Sequence, residues 1–412
     1  MSAQPLMVDP SAGQTPAPRR LAVRRLSLTR FRNYASATLE VDGPAVVLAG
    51  PNGAGKTNLL EAVSFLAPGR GLRRARLSEV DRVVPGDASP PTAATAWAVA
   101  ARIEGKLGAT AIGTGRDPEA EGERRLVRID GVPAKSQAVL ADHVTVSWLT
   151  PAMDRLFMDG ASGRRRFLDR LVFAFDPEHS TRVNGYEHAW RERNRLIRDG
   201  VRDSAWYAAL EETLAATGVA VAAARAALVA RLNRVCAATA EPFPAASLAL
   251  DGTVDRWLQE APALDVEDRL RATLAAGRRP SGAGMGSPEA EGPHRSDLAV
   301  RHVPKDMPAE RCSTGEQKAL LVGIVLAHAR LQAVDEGAAP ILLLDEVAAH
   351  LDDRRRAALF EAVLALGGQA WLTGTDRGVF APIADRAQIV EVTDGRLAPA
   401  GTIGFRGETS NG

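Results

Sequence analysis

Two short stretches far apart in the chain hold residue types that together can bind and split a nucleotide. The first, Gly50-Pro51-Asn52-Gly53-Ala54-Gly55-Lys56-Thr57, fits the pattern G-x-x-x-x-G-K-[ST] throughout. Glycines at those positions let backbone N–H groups turn inward around phosphate oxygens, and a helix starting at the lysine adds a favourable dipole. Lys56 then reaches the β- and γ-phosphates of ATP, Thr57 holds Mg²⁺ through its hydroxyl, and Asn58 completes the loop. The second stretch, "ILLLDE" at 341–346, is four apolar residues followed by two acids. Asp345, at the end of a buried strand, is a second ligand for Mg²⁺, and Glu346 is placed to polarise an attacking water. Lys56, Asp345 and Glu346 form the candidate catalytic set. Either stretch alone has an ordinary explanation, a glycine turn or a strand that happens to end in acids. Together they point to a nucleoside triphosphate site.

A third stretch, "CSTGEQKALLVGIVLAHARL" from Cys312, places Ser313, Thr314, Gly315 and Glu316 just before an apolar helix. A serine hydroxyl with backbone N–H groups at a helix N-terminus makes a second anion site. Serine followed three residues later by glutamate is also capping chemistry. The segment resembles the LSGGQ signature of the ABC ATPases and precedes the Asp-Glu strand, as it does in that superfamily. There the signature of one subunit completes the ATP site of the other. "AAHLDDRRR" (348–356) falls at the D-loop position, with Leu351-Asp352 as its core. Thr375 and Asp376 stand where transporter ATPases carry a switch histidine, which argues against a transporter subunit.

The elements needed to position these groups can be read around them. "AVVLAG" is a short apolar strand ahead of the loop, and Leu59, Leu60, Val63 and Leu66 recur at helical spacing after it. Alternating segments over 21–43 and 97–150 read as strands. From Pro151 to about Ala276 the texture is helical, with Ser162 as an expected N-cap and an alanine-rich helix or helical pair over 204–240. Strands and helices alternate again from about Leu298, ending in a hairpin at "AQIVEVTDGRLA". The expected fold is therefore α/β: an ABC/SMC-type P-loop ATPase head, a mixed sheet with flanking helices, interrupted by a helical lobe. The expected divisions are a disordered tail at 1–20, the first part of the ATPase lobe at 21–150, and the helical lobe at 151–297. A flexible loop is expected near 277–292, the second part of the ATPase lobe at 298–400, and a tail at 401–412.

The stretch between Thr57 and Ser313 is longer than a compact transporter ATPase needs and shorter than the coiled coil of an SMC protein. In order along the chain, "LTRFRNYASATLE", "GPNGAGKTNLLEAV", "GASGRRRFLDRLVF", "YEHAWRERNRLIR", "GPHRSDL", "CSTGEQKALL" and "LLLDEVAAHLD" resemble the motifs of the RecF family, from about Leu21 to Leu397. The resemblance implies an ATP-dependent homodimer acting in recombinational repair. It implies binding of double-stranded DNA near single-strand gaps, with RecO and RecR as partners. It also implies weak, DNA-stimulated ATP hydrolysis that resets a clamp, without chemistry on the DNA itself.

Duplex DNA calls for arginine clusters that neutralise phosphates. Arg70, Arg73, Arg74 and Arg76 follow the phosphate-loop helix, and Arg164, Arg165, Arg166 and Arg193 lie in the helical segment. The chain's 412 residues carry a net charge of only +1, so such a surface is a local patch. Two cysteines, Cys236 and Cys312, lie outside any metal-ligand spacing and fit a reducing cytoplasm. No apolar run reads as a membrane span and no secretory signal is visible. The competing readings are an ABC-type motor, disfavoured by the helical insert, and an SMC-like tether, for which the insert is short.

Overall fold

The computed structural model describes residues 20–82, 96–117, 124–237, 242–278 and 290–399. The tails expected at 1–20 (Arg20 apart) and 401–412, and most of the loop near 277–292, lie outside the described residues.

The apolar stretch "AVVLA" forms β3 (Ala45–Ala49), the middle of a six-stranded sheet. Its neighbours on one side are β14 (Ala387–Thr393) and, antiparallel at the edge, β15 (Arg396–Pro399). On the other side come β13 (Ala370–Gly374), β12 (Ile341–Leu344) and β8 (Val146–Leu149), all parallel. Parallel strands covered on both faces read as continuous apolar runs. Here the faces separate by alternation. Val46, Leu48, Ile341, Leu343 and Trp371 enter one core, while Ala45, Val47, Leu342, Leu344, Ala370 and Leu372 enter the other.

The first core lies beneath an antiparallel sheet made of β1 (Ala22–Phe31), β2 (Tyr34–Glu40), β4 (Ala98–Gly105), β5 (Gly108–Arg116), β6 (Arg125–Ile129) and β7 (Val132–Pro133). Between the sheets sits α1 (Lys56–Ser64), whose Leu59, Leu60 and Val63 are buried. The second core is closed by α7 (Thr314–Glu336), α8 (Asp353–Ala365) and the helical segment. That segment comprises α2 (Ala161–Phe173), α3 (His179–Arg198), α4 (Ser204–Ala237), α5 (Thr253–Glu260) and α6 (Ala263–Ala276).

Two expectations need correction, and one open alternative is decided. The segment is not helical throughout: "ASLALD" forms β9 (Ala246–Asp251), paired with β10 (Asp297–His302) and through it with β11 (Met307–Pro308). Its alternating burial is that of a half-buried strand, too short to stand out beside so much alanine. Ser162 is not the cap of α2, because the helix starts one residue earlier behind Gly160. The alanine-rich stretch is a single helix, and by length and composition it could cross a membrane. Its Leu214, Val219, Ala222, Leu228 and Leu232 are instead buried against neighbouring elements, as in a core helix.

The helical motifs named above meet in one place. Arg225 of α4 donates to the Pro293 carbonyl at 2.7 Å, and His294 packs against Trp190 with ring centres 4.1 Å apart and planes tilted by 37°. The Tyr186 hydroxyl lies 2.6 Å from His294 Nδ1, and Arg165 donates to the Ser296 carbonyl at 2.8 Å. Arg164 grips Asp297 with two bonds of 2.7 Å. "GPHRSDL" is thus pinned by α2, α3 and α4 immediately before β10 leads to the signature.

His328, buried in α7, donates Nε2–H to the Leu171 carbonyl at 2.9 Å. Burial holds its imidazole down at about 4. The unfolded chain therefore binds the proton first, and stability is lost as pH falls from about 6.5 to about 4, by up to about 3 kcal/mol. Urea midpoints at pH 7 and pH 5 check this: His328→Gln is expected to reduce the difference, leaving the share of His294, which burial also holds down at about 4.

Candidate nucleotide site and nucleic-acid surface

Parallel pairing brings the carboxyl ends of β3, β13 and β12 to one edge, where ligands sit in open α/β sheets. The phosphate loop leaves β3 there. Its shape depends on two glycines. A Cβ on Gly50 would stand 2.1 Å from the Val392 carbonyl oxygen, and Gly55 has φ 112° with the Asn33 and Tyr34 side chains against it. The N–H groups of Asn52, Gly53 and Gly55 make no hydrogen bond among the described residues, and Pro51, Asn52 and Gly53 are exposed. Lys56 folds back over the loop, donating to the Gly50 and Pro51 carbonyls at 2.7 and 2.9 Å. Burial pushes its ammonium below the ordinary value, against the pull of Glu346 and Asp345.

Across 288 residues of sequence, the Thr57 hydroxyl donates to the Asp345 carboxylate, at 2.9 and 3.0 Å from its two oxygens. Thr373, on the strand between, donates to Asp345 Oδ1 at 2.8 Å and accepts the Glu346 N–H at 2.8 Å. Glu346 sits in the left-handed region at φ 51° and its carboxylate has no hydrogen bond among the described residues. The left-handed backbone of a non-glycine residue at the end of a buried strand is a strained conformation of the kind that collects at functional sites. Thr57 and Asp345 are oxygen donors of the kind Mg²⁺ takes.

The loop rests on residues whose role the sequence did not disclose. In the β1–β2 turn, Asn33 donates to the Ala54 carbonyl at 3.0 Å and Tyr34 to the Gly55 carbonyl at 3.0 Å. Asn58 donates to Asn33 at 2.8 Å and accepts from Arg73 at 2.6 Å. Glu61 of α1, fully buried, takes two bonds from Arg32 and one from Arg73. The stretch "FRNY" therefore buttresses the loop. Only its long-range contacts reveal that, and Thr373 is likewise placed by the fold alone.

Ser313 caps α7 in a full capping box with Glu316, so Thr314 and Gly315 form the first turn. Within one chain the signature stretch is a helix cap, and no hydrogen bond joins Ser313 or Gly315 to Thr57 among the described residues. Asp352 caps α8 by accepting the Arg355 N–H at 2.8 Å.

The arginine candidates divide. Arg70, Arg74, Arg76 and Arg166 are exposed and make no side-chain ion pair among the described residues. Arg73 is committed to Glu61 and Asn58. Arg164 holds Asp297, the first residue of β10, and Arg165 holds Ser296 just before it. Arg193 is corrected outright: it is 1% exposed, bound to Glu211 and the Leu274 carbonyl, and cannot reach a phosphate.

The family model for the RecF/RecN/SMC N terminal domain matches residues 22–395. The chain is 52% identical over 383 residues to the DNA replication and repair protein RecF of Rhizobium etli, covering 92% of this chain and 99% of the relative. The chain belongs to the RecF family. A second RecF relative, from Mesorhizobium japonicum, is 52% identical over 386 residues, 93% of this chain and 99% of its own. Among solved structures, the recombination mediator protein RecF bound to ATPrS, described in the RecFOR pathway, aligns with TM-score 0.78 at 19% identity. That alignment covers 93% of this chain and 99% of that one. The Smc head domain from Pyrococcus furiosus aligns at TM-score 0.52 and 17% identity, over 92% and 96% of the two chains. The fold is therefore that of RecF and SMC head ATPases. As a RecF-family member, the chain is a protein of DNA replication and repair.

Proposed function

We propose that this RecF-family chain is an ATP-operated DNA clamp: ATP joins two copies on duplex DNA at a single-strand gap, and slow hydrolysis releases them. The observation that carries the reading is the Thr57–Asp345 contact. It unites the phosphate loop with a buried carboxylate at the edge where the N–H groups of Asn52, Gly53 and Gly55 make no hydrogen bond among the described residues. In this reading Gly50 to Asn58 cradle the triphosphate, Lys56 faces its terminal phosphates, and Thr57 and Asp345 hold Mg²⁺, which neutralises phosphate charge when bound. Glu346, whose carboxylate has no hydrogen bond among the described residues, orients the water. Ser313 and Gly315 from the second copy supply the hydroxyl and N–H groups that complete the site. RecO and RecR then assemble on the DNA-bound dimer. Its compartment is the cytoplasm.

The DNA side rests on Arg70, Arg74, Arg76 and Arg166, which are exposed and make no side-chain ion pair among the described residues, and whose planar guanidinium forks suit phosphates. Replacing Arg70, Arg74 and Arg76 together by alanine is expected to weaken duplex binding regardless of sequence. It should also make the slope of log affinity against log salt shallower by about 3 per copy. Fluorescence anisotropy of a gapped duplex with ATP, over a salt series, checks this; an unchanged slope removes that cluster from the interface.

A further inference from the structure

Ser313 does more than cap α7. One oxygen of the Glu316 carboxylate accepts from the Ser313 N–H at 3.0 Å and from the Ser313 hydroxyl at 2.9 Å. The other Glu316 oxygen pairs with Lys305, which sits on the turn after β10. The hydroxyl proton of the signature serine is therefore already given to an anion of its own chain. A second anion cannot take it without displacing the first, since one O–H serves one acceptor well and two anions repel.

We propose that the Glu316 carboxylate is a built-in occupant of the signature anion position, masking Ser313 until the terminal phosphate brought by a second copy displaces it onto Lys305. This inference rests on the ATP-bridged dimer proposed above. Three features support a switch of partner. The contact is local, so it breaks without moving a helix. The carboxylate, drawn down to about 2 by Lys305 and Ser313, stays ionised at neutral pH and so always competes. The Lys305 side chain is half exposed, leaving room for the freed carboxylate to remain paired. Charge-assisted bonds are roughly twice as strong as neutral ones, so the mask sets a threshold that a weakly charged visitor does not cross.

The test is the ATP concentration giving half-maximal dimer, read by light scattering on the full-length chain with Mg²⁺. Glu316→Gln keeps both capping bonds, because glutamine serves equally at that position, and removes only the charge. It is expected to dimerise at about tenfold lower ATP. Lys305→Ala leaves the cap in place and strands the displaced carboxylate beside a phosphate; it is expected to need several-fold more ATP. An unchanged or raised requirement for Glu316→Gln overturns the inference, as does an unchanged or lowered one for Lys305→Ala. The second arm stands even if the first variant folds poorly. If the wild-type chain stays monomeric at every ATP concentration, the dimer itself fails and the mask with it.

Discussion

Asp345→Asn is expected to cut ATP turnover by about a hundredfold or more while leaving the thermal midpoint close to that of the wild type. The substitution preserves size and one acceptor oxygen, and with that oxygen at the Oδ1 position both Thr57 and Thr373 keep a bond. It removes the charge that Thr57 faces across the sheet edge. Groups that stabilise developing charge in a dry site are each worth about 10²–10³ in rate. The loss should fall on kcat far more than on KM, because the cradle of loop N–H groups is untouched. Steady-state phosphate release with and without duplex DNA checks this. A variant retaining more than a tenth of wild-type turnover would mean that Asp345 has no part in the chemistry.

The second large effect lies far from the nucleotide. Glu211→Ala is expected to destabilise the fold by about 3–5 kcal/mol, because it leaves a buried guanidinium without its counter-charge. The side chains of Glu211 and Arg193 are 1% and 2% exposed, with Nε 3.2 Å from the carboxylate. Arg278 binds the same carboxylate from the surface and can turn to water, whereas Arg193 cannot. Replacing both buried partners, Glu211→Leu with Arg193→Met, should recover most of the loss, since well-packed apolar substitutes often match a buried ion pair. Urea unfolding of the two variants against wild type measures both. A loss below about 1 kcal/mol for Glu211→Ala would show that water reaches Arg193.

Much of the nucleotide site was legible because its chemistry is local. A phosphate loop needs its glycines, lysine and threonine in consecutive places, and an apolar strand ending in Asp345-Glu346 marks itself. The parallel sheet was legible from uninterrupted apolar runs such as "AVVLA" and "ILLL". What stayed hidden depended on distance. Nothing beside Glu61 in sequence announces that Arg32 and Arg73 will close on it. Thr373 gains its role only because β13 lies between β3 and β12. Arginine is the clearest case. "RRR" at 164–166 looks like one basic cluster, yet α2 turns Arg164 and Arg165 toward the start of β10 and leaves Arg166 in solvent. Arg193 looked the same as its neighbours and proved to be buried. Charge in a sequence does not say which arginines have carboxylates waiting.

The central claim is that ATP joins two copies through Ser313. Its most direct test is the molar mass in solution with ATP and Mg²⁺, for the wild type beside Lys56→Arg and Ser313→Arg. ATP is expected to convert monomer to dimer and either substitution to keep the chain monomeric, the first by spoiling the phosphate grip and the second by filling the signature. A mass that never changes with ATP, or a Ser313→Arg chain that dimerises as readily as wild type, would contradict it and leave Ser313 as the cap of a helix.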